Sequence, residues 1–242
     1  MQILLISNSF GVNLQTYAKE IAKVNDLELN IYTLYIGGCS LELHDKNIKE
    51  NNKAYELFVD GQTSSIFMSI DEALRLRDWD YISLQQASHL SGDYSTYNPY
   101  FSSVYTYVRV KCPNSKIMWH QTWAYSSKNP FKYSEVKSWL PTFKFNNDLD
   151  MKDGINEALN KLLSEYKIDL VVRSGDVVFE AMKVFDDVYD SEGFHLNKIG
   201  CYLIGANLIK TLLNRSLNGV FVPNEFDSKL SRKMIDFVNN FK

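Results

Sequence analysis

The feature that most constrains the fold is the opening of the chain, residues 1–11. Residues 3–6 (ILLI) form a short continuous apolar run, the pattern of a strand buried on both faces. The run ends in the small, turn-forming residues 7–11 (SNSFG), and a helical stripe of apolar residues follows from Leu14 to Ala22. In an open α/β sheet, ligands bind where such a strand turns into a helix, so Ser7 and Ser9 are candidate site residues. Capping of the helix is the alternative role for a serine at this place.

The rest of the chain alternates between apolar runs and helical patterns. Four further runs predict strands, at residues 27–36, 79–84, 116–120 and 169–172. Residues 55–59 and 65–68 flank a glycine turn and predict a β-hairpin outside the main sheet. Residues 124–148 predict a long loop with a short helix. The alternation predicts one α/β domain over residues 1–242, with a five-stranded parallel sheet and helices on both faces.

Composition argues against several classes of function. The net charge is −3 with both signs interspersed, which disfavours nucleic acid or an anionic membrane as the main partner. No apolar run is long enough to cross a bilayer, and the three cysteines have neither disulfide nor zinc-site spacing. The sequence therefore implies no cofactor and no metal. Because Met1 leads into the first strand without a signal peptide, we expect a cytoplasmic protein, but an exported protein trimmed of its signal would begin in the same way.

Residues near the two ends of the chain carry the chemistry of a nucleophilic triad. Ser9 supplies a hydroxyl, His195 a base, and Glu192, three residues before the histidine, an acid that can orient it. The backbone N–H groups of Ser9 and Gly38 and the Gln86 carboxamide are candidate donors to an oxyanion. The carboxyl ends of parallel strands meet at one edge of a sheet, so the topology predicts that these groups converge.

The short sequence blocks that contain these candidate residues resemble, in their order and positions, those of the SGNH (GDSL-like) hydrolase superfamily of esterases and lipases. Residues 7–10 (SNSF) are similar to its first block, residues 37–41 (GGCSL) to its glycine block, and residues 192–196 (EGFHL) to its final block. Residues 84–88 (LQQAS) occupy the place of its third block. Residues 120–125 (HQTWAY) resemble a stretch of a little-characterised, largely bacterial branch. The resemblance implies a three-layer flavodoxin-like fold and an ester-hydrolysing triad.

Three positions depart from the superfamily pattern. Ser7 stands where glycine is usual, and Glu192 replaces the usual aspartate, which makes Asp190 the alternative acid. The third block has neither its glycine nor its asparagine. Either Gln86 or Gln85 can supply the third oxyanion donor, because strand alternation turns only one of them toward the cleft.

Further histidines and aromatic residues are candidates for the cleft wall. Trp123 and Tyr125 follow the fourth predicted strand, where they form either a platform for a sugar or acyl group or a part of the core. His120 is expected at the border of the cleft or hydrogen-bonded in the core. His44 and His89 lie in polar stretches and are expected at the surface, with His89 in reach of a substrate.

These observations predict a serine ester hydrolase that acts on a small-molecule or carbohydrate ester. We expect the acyl group of this ester to be acetyl, a choice that depends on the resemblance and on the aromatic content of 14%. The alternative is a non-catalytic carbohydrate-binding protein of the same fold, to which the irregular first and third blocks point. A receiver or nucleotide-binding protein is disfavoured, because the chain has neither a Gly-rich phosphate loop nor a phospho-acceptor cluster of acidic residues.

Overall fold

A central β-sheet covered by helices on both faces organises the computed structural model, which describes residues 1–128 and 131–241. Residues 129 and 130, within the predicted loop 124–148, lie outside the described residues. In the described ranges the sheet has seven strands, which are β1 (Gln2–Ser7), β2 (Asn30–Tyr35), β3 (Tyr55–Val59), β4 (Gln62–Met68), β5 (Tyr81–Leu84), β6 (Lys116–His120) and β7 (Leu170–Val172).

The helices of the described residues alternate with these strands. They are α1 (Ser9–Gln15), α2 (Ala18–Lys23), α3 (Leu41–Glu50), α4 (Ile70–Leu74), α5 (Tyr100–Lys111), α6 (Phe131–Trp139), α7 (Asp148–Glu165), α8 (Ser174–Ala181), α9 (Lys198–Leu213) and α10 (Ser228–Asn240). The short helix expected within residues 124–148 is confirmed as α6. No helix of the described ranges is long and apolar enough to cross a membrane.

The sheet order is β4-β3-β2-β1-β5-β6-β7, and the five strands from β2 to β7 in this order are parallel to one another. Numbered along the chain, these five have the order 2-1-3-4-5, the order of the flavodoxin-like fold. The order reverses at β1, so the crevice at the carboxyl end of β1 is the expected ligand site.

The prediction of a five-stranded, all-parallel sheet is wrong in its strand number. The hairpin of β3 and β4 does not lie outside the sheet but extends it, because β3 pairs antiparallel with β2 and places Leu57 opposite Leu34. The physical reason is burial: Tyr55 and Leu57 complete the core beside β2, whereas β4 forms the exposed outer edge.

The apolar run of β1 explains why it lies at the centre of the sheet. Ile3 and Leu5 pack into the core on one face, with α1, α2 and α9. Leu4 and Ile6 pack into the core on the other face, with residues of α5 and α7. A strand covered on both faces needs apolar residues at every position, which is the pattern that the sequence shows.

Candidate active site

Ser9 lies where β1 ends, as the first residue of α1. Asn8 caps this helix with extended backbone, and its side-chain Oδ1 accepts a hydrogen bond from the Phe10 N–H at 3.0 Å. The Asn8 Nδ2 donates to the Cys39 carbonyl at 3.1 Å, which ties the start of α1 to the turn that follows β2. Asn8 therefore links the two backbone segments that carry Ser9 and Gly38.

His195 is held in a closed loop that follows α8. The Asp190 N–H donates to the His195 carbonyl at 3.0 Å, and Gly193 closes the turn with a φ of +77°. Asp190 Oδ1 accepts from the N–H groups of Glu192 and Gly193 at 2.9 and 3.2 Å. These bonds turn the side chains of Glu192 and His195 toward one another.

The structure brings Ser9, His195 and Glu192 into one line of hydrogen bonds. His195 Nε2 lies 2.8 Å from Ser9 Oγ, and His195 Nδ1 lies 3.0 Å from Glu192 Oε2. With the Nδ1 proton donated to Glu192, Nε2 is free to accept the Ser9 hydroxyl proton. Asp190 is the more distant acid, with its Oδ2 at 3.9 Å from Nδ1.

Ser9 and Gly38, the residues whose N–H groups are candidate oxyanion donors, both line the cavity beside His195. Gly38 lies in a turn with a φ of +63°, a conformation that favours glycine, and a Cβ added there would meet open space. Within the described residues, neither the Ser9 nor the Gly38 N–H donates to another group. These two N–H groups therefore stay the candidate donors to an oxyanion.

Gln86 and Gln85 do not lie where the sequence prediction placed an oxyanion donor. Gln86 is fully buried: its Oε1 accepts from the Leu41 and Ala87 N–H groups, and its Nε2 donates to Thr96. Gln85 is also buried, with its Nε2 donating to Asn8 Oδ1 at 2.7 Å. The reason for the correction is that both amides are already used by protein groups beneath the cleft.

Gln85 belongs to a buried polar network below the serine that the sequence analysis did not predict. Its Oε1 accepts from the Ser7 hydroxyl at 2.8 Å and from His120 Nδ1 at 3.0 Å. The other ring nitrogen of His120 accepts from Ser174 Oγ at 3.0 Å. Burial lowers the pKa of His120 to about 3, so the ring is neutral and structural. Only the three-dimensional pairing of β5 with β1 and β6 brings these residues together.

A cavity of about 420 Å³ opens beside Ser9 and His195. Tyr125 and Ser88 line its inner end, where their hydroxyl oxygens lie 3.0 Å apart and the two residues are 5% and 9% exposed. Tyr125 is therefore buried and also lines the cleft, and its role as a platform for a ligand stays a prediction. Burial raises its pKa to about 12, so its hydroxyl keeps its proton at neutral pH.

Trp123 is not a platform for a ligand. Its side chain is fully buried, its ring stacks on Phe10 with centroids 4.0 Å apart, and its Nε1 donates to the Phe194 carbonyl at 2.8 Å. Trp123 thus supports the two segments that carry Ser9 and His195 from behind. Of the two roles expected for Trp123, its burial fits the place in the core.

The other histidines differ in their surroundings. His44 is buried, not at the surface, and its Nδ1 lies 2.9 Å from the Tyr55 hydroxyl; burial lowers its pKa to about 3. His89 lines the cavity and packs edge-on against Trp139, with centroids 5.0 Å apart. His89 thus lies at the cleft, and its contact with a substrate stays a prediction.

The same loop has the only cluster of potential metal ligands within the described residues. The ligand atoms of Asp190, Glu192 and His195 lie within 4.8 Å of one another. Both ring nitrogens of His195 are already engaged, one by Ser9 and one by Glu192. The hydrogen-bonded line of these side chains therefore accounts for the cluster without an ion.

Comparisons with known proteins agree with this fold. The family model described as "Domain of unknown function (DUF4886)" matches residues 2–236. A solved DUF4886 family protein from Bacteroides uniformis is 29% identical, with a TM-score of 0.85 over 99% of this chain and 93% of that one. Comparison with curated protein sequences finds no match.

More distant structures share the fold with hydrolases. A protein from Slackia heliotrinireducens, described as a candidate SGNH hydrolase, is 19% identical, with a TM-score of 0.59 over 88% of this chain and 98% of that one. A carbohydrate esterase of family 3 from Talaromyces cellulolyticus is 10% identical, with a TM-score of 0.57 over 88% and 97% of the two chains. The fold is therefore that of the SGNH and GDSL-like hydrolases.

Proposed function

The chain belongs to the DUF4886 family, and we propose that it is a serine ester hydrolase with Ser9 as nucleophile, His195 as general base and Glu192 as the orienting acid. The observation that carries this proposal is the continuous hydrogen-bonded line from Ser9 through His195 to Glu192, with distances of 2.8 and 3.0 Å. Ser9 and His195 line a cavity that Gly38 also lines, which supports the Ser9 and Gly38 N–H groups as oxyanion donors. A nucleophile, a base, an orienting acid and oxyanion donors are the groups that acyl transfer requires.

In the acylation step, His195 Nε2 takes the Ser9 hydroxyl proton as Oγ attacks the ester carbonyl carbon. The carbonyl oxygen gains negative charge, which the Ser9 and Gly38 N–H groups stabilise. Glu192 holds the imidazole in the tautomer with its proton on Nδ1 and stabilises the imidazolium. The bond to the alcohol then breaks, and the alcohol leaves with the proton from His195, so that the acyl group remains on Ser9.

In the deacylation step, the same groups act on water. His195 takes a proton from a water molecule, whose oxygen attacks the acyl carbon through a second oxyanion bound by the same N–H groups. The bond to Ser9 breaks, Oγ recovers its proton from His195, and the carboxylic acid is released. Loss of one oxyanion donor typically costs about 10²- to 10³-fold in kcat, so we expect the placement of Gly38 to contribute to the rate in addition to the triad.

For the substrate, we propose a short acyl ester, acetyl first, of a carbohydrate or a related small molecule. The near-complete burial of Tyr125 and Ser88, which line the cavity with their hydroxyl groups 3.0 Å apart, supports a small acyl group at this part of it. The fold shared with a family 3 carbohydrate esterase supports a sugar as the alcohol part. The aromatic lining of the cavity is also suited to a sugar ring.

Hydrolysis of 4-nitrophenyl acetate and butyrate by wild type and Ser9→Ala tests the mechanism. We expect Ser9→Ala to lower kcat by at least about a thousandfold, since the serine forms the acyl intermediate. Ser164→Ala, an exposed serine of α7, is the matched control and should behave like wild type. A fluorophosphonate probe should label wild type and not Ser9→Ala. Equal turnover by wild type and Ser9→Ala would refute the mechanism, and absent labelling with measurable glycan binding would favour a non-catalytic binding protein.

A further inference from the structure

One face of α6 forms a wall of the cavity. Lys132, Glu135, Val136 and Trp139 all line it. Their spacing of three, four and seven residues from Lys132 places them on a single face of the helix. We call these four residues the α6 cleft face. The sequence analysis predicted a short helix in this segment but assigned none of these side chains to a site.

Trp139 differs from every other tryptophan of the chain in its exposure. Its residue is 55% exposed, whereas Trp79, Trp119 and Trp123 are at most 4% exposed. Its indole packs edge-on against His89, which also lines the cavity, with an interplanar angle of 70°. The cleft therefore has a large aromatic surface at its mouth that is oriented by a neighbour and open to a ligand.

The α6 cleft face also carries charge. Lys132 Nζ lies 3.1 Å from Glu135 Oε2 and 5.4 Å from the centre of the Phe194 ring. A long acyl chain lying here would remove water from this ion pair and return no hydrogen bond, which is unfavourable. A sugar ring offers both an apolar C–H face for an aromatic side chain and hydroxyl groups for an ammonium and a carboxylate. The mixed wall therefore fits a sugar better than a lipid.

We propose that the α6 cleft face, together with His89, is a subsite for a neutral sugar ring, the alcohol part of the ester. This proposal rests on the proposed function, because it divides the cavity between the two halves of the substrate. The acyl group occupies the inner end near Tyr125, and the sugar occupies the open end, where Trp139 stacks on its C–H face. Lys132 and Glu135 bind its hydroxyl groups from the same wall.

Binding is tested without turnover, in the Ser9→Ala variant of the whole 242-residue chain. Because the other three tryptophans are buried, quenching of tryptophan fluorescence by acrylamide reports mainly on Trp139. We expect at least one of xylotetraose, cellotetraose and chitotetraose to lower the quenching constant at saturation. Full protection of Trp139 would lower the quenching constant to that of the Ser9→Ala/Trp139→Phe protein. In that protein the sugar should not change the quenching constant. Unchanged quenching with all three sugars would overturn the proposal.

Selectivity is tested in the active enzyme with the O-acetylated form of the sugar that protects Trp139 best. For Trp139→Ala, the ratio of kcat/KM on this ester to kcat/KM on 4-nitrophenyl acetate should fall at least about tenfold. Phe67→Ala removes a comparably exposed aromatic side chain from β4, outside the cleft, and should leave the ratio unchanged. An unchanged ratio in Trp139→Ala overturns the subsite.

The two proposals fail separately. Sugar protection of Trp139 without Ser9-dependent hydrolysis of any ester would refute the esterase and support the subsite. Ser9-dependent hydrolysis with unchanged quenching and an unchanged ratio would support the esterase and refute the subsite.

Discussion

At the scale of single residues, side-chain length and loop position decide whether Glu192 or Asp190 contacts His195. A glutamate is one methylene longer than an aspartate, and here it contacts His195 Nδ1 at 3.0 Å, while Asp190 remains at 3.9 Å. Asp190 is instead engaged by two backbone N–H groups of its own loop. The longer side chain of Glu192 thus reaches His195 from its place in the loop. Asp190 stabilises the turn of this loop.

This division of roles predicts different losses for the two acids. Glu192→Gln should lower kcat for 4-nitrophenyl acetate by about 10²- to 10⁴-fold, because the amide cannot stabilise the imidazolium and permits the wrong tautomer. Asp190→Asn keeps an oxygen acceptor for the loop N–H groups and should cost less than about tenfold. Glu157→Gln, on the exposed side of α7, is the control. If Asp190→Asn were the more damaging substitution, Asp190 would be the orienting acid.

Single residues also show where sequence reasoning reaches its limit. Ser9, His195, Glu192 and Gly38 could be selected because each follows a strand or precedes a helix, and parallel strands bring such positions together. Gln86 could not be placed in the same way. The sequence shows that it follows β5, but whether its amide meets the cleft or the Leu41 N–H depends on packing between elements that are distant in the chain.

At the scale of elements, the junction of β1 and α1 explains how a serine replaces the usual glycine at position 7. Gly11 packs so closely on the strand that a Cβ added to it would lie 2.0 Å from Ser7 Oγ and 2.7 Å from Ser7 Cβ. The Ser7 side chain thus occupies space that the missing side chain of Gly11 leaves free. From this position the Ser7 hydroxyl donates a hydrogen bond to Gln85 Oε1.

Gly11→Ala should therefore destabilise the protein. Alanine favours a helix over glycine by about 1 kcal/mol, but the steric conflict with Ser7 costs about 1–3 kcal/mol. We expect a net loss of up to about 2 kcal/mol in the free energy of unfolding, measured by urea denaturation. In the Ser7→Gly background, which itself lacks the hydrogen bond to Gln85, Gly11→Ala should cost much less than it does in wild type, since the conflicting atoms are removed. Strictly additive losses in the double variant would show that the two side chains do not compete for space.

The β3–β4 hairpin and α6 show which elements a periodic pattern can define. The hairpin was predicted from two apolar runs around a glycine turn, and it forms. Its position was wrong, because a pattern within two strands does not reveal that β2 has an unpaired edge and a partly covered core beside it. Helix α6 was predicted to exist, but its residues mix polar and aromatic side chains, so its contacts could not be inferred from periodicity.

At the scale of the whole molecule, the sheet places the chemistry at one edge and buries neutral histidines in its layers. His44 and His120 have pKa values lowered to about 3 by burial, whereas an unfolded histidine has a pKa of about 6.5. Below pH 6.5 the unfolded chain binds two protons that the folded protein does not take up. The stabilisation is therefore complete above pH 6.5 and is lost as the pH falls toward about 3.

The free energy of unfolding should accordingly fall with decreasing pH below about 6.5, and His44 and His120 together should contribute a slope that approaches about 2.7 kcal/mol per pH unit. Urea denaturation at pH 7, 6, 5.5 and 5 measures this slope. In His44→Gln the slope should decrease by about 1.4 kcal/mol per pH unit, because one titrating group is gone. Tyr55→Phe removes the hydroxyl that contacts His44 Nδ1 but keeps the imidazole, so its stability should drop while the slope stays near that of wild type. A wild-type stability that does not change between pH 7 and 5 would mean that these histidines are protonated in the folded protein or that the unfolded chain keeps them buried.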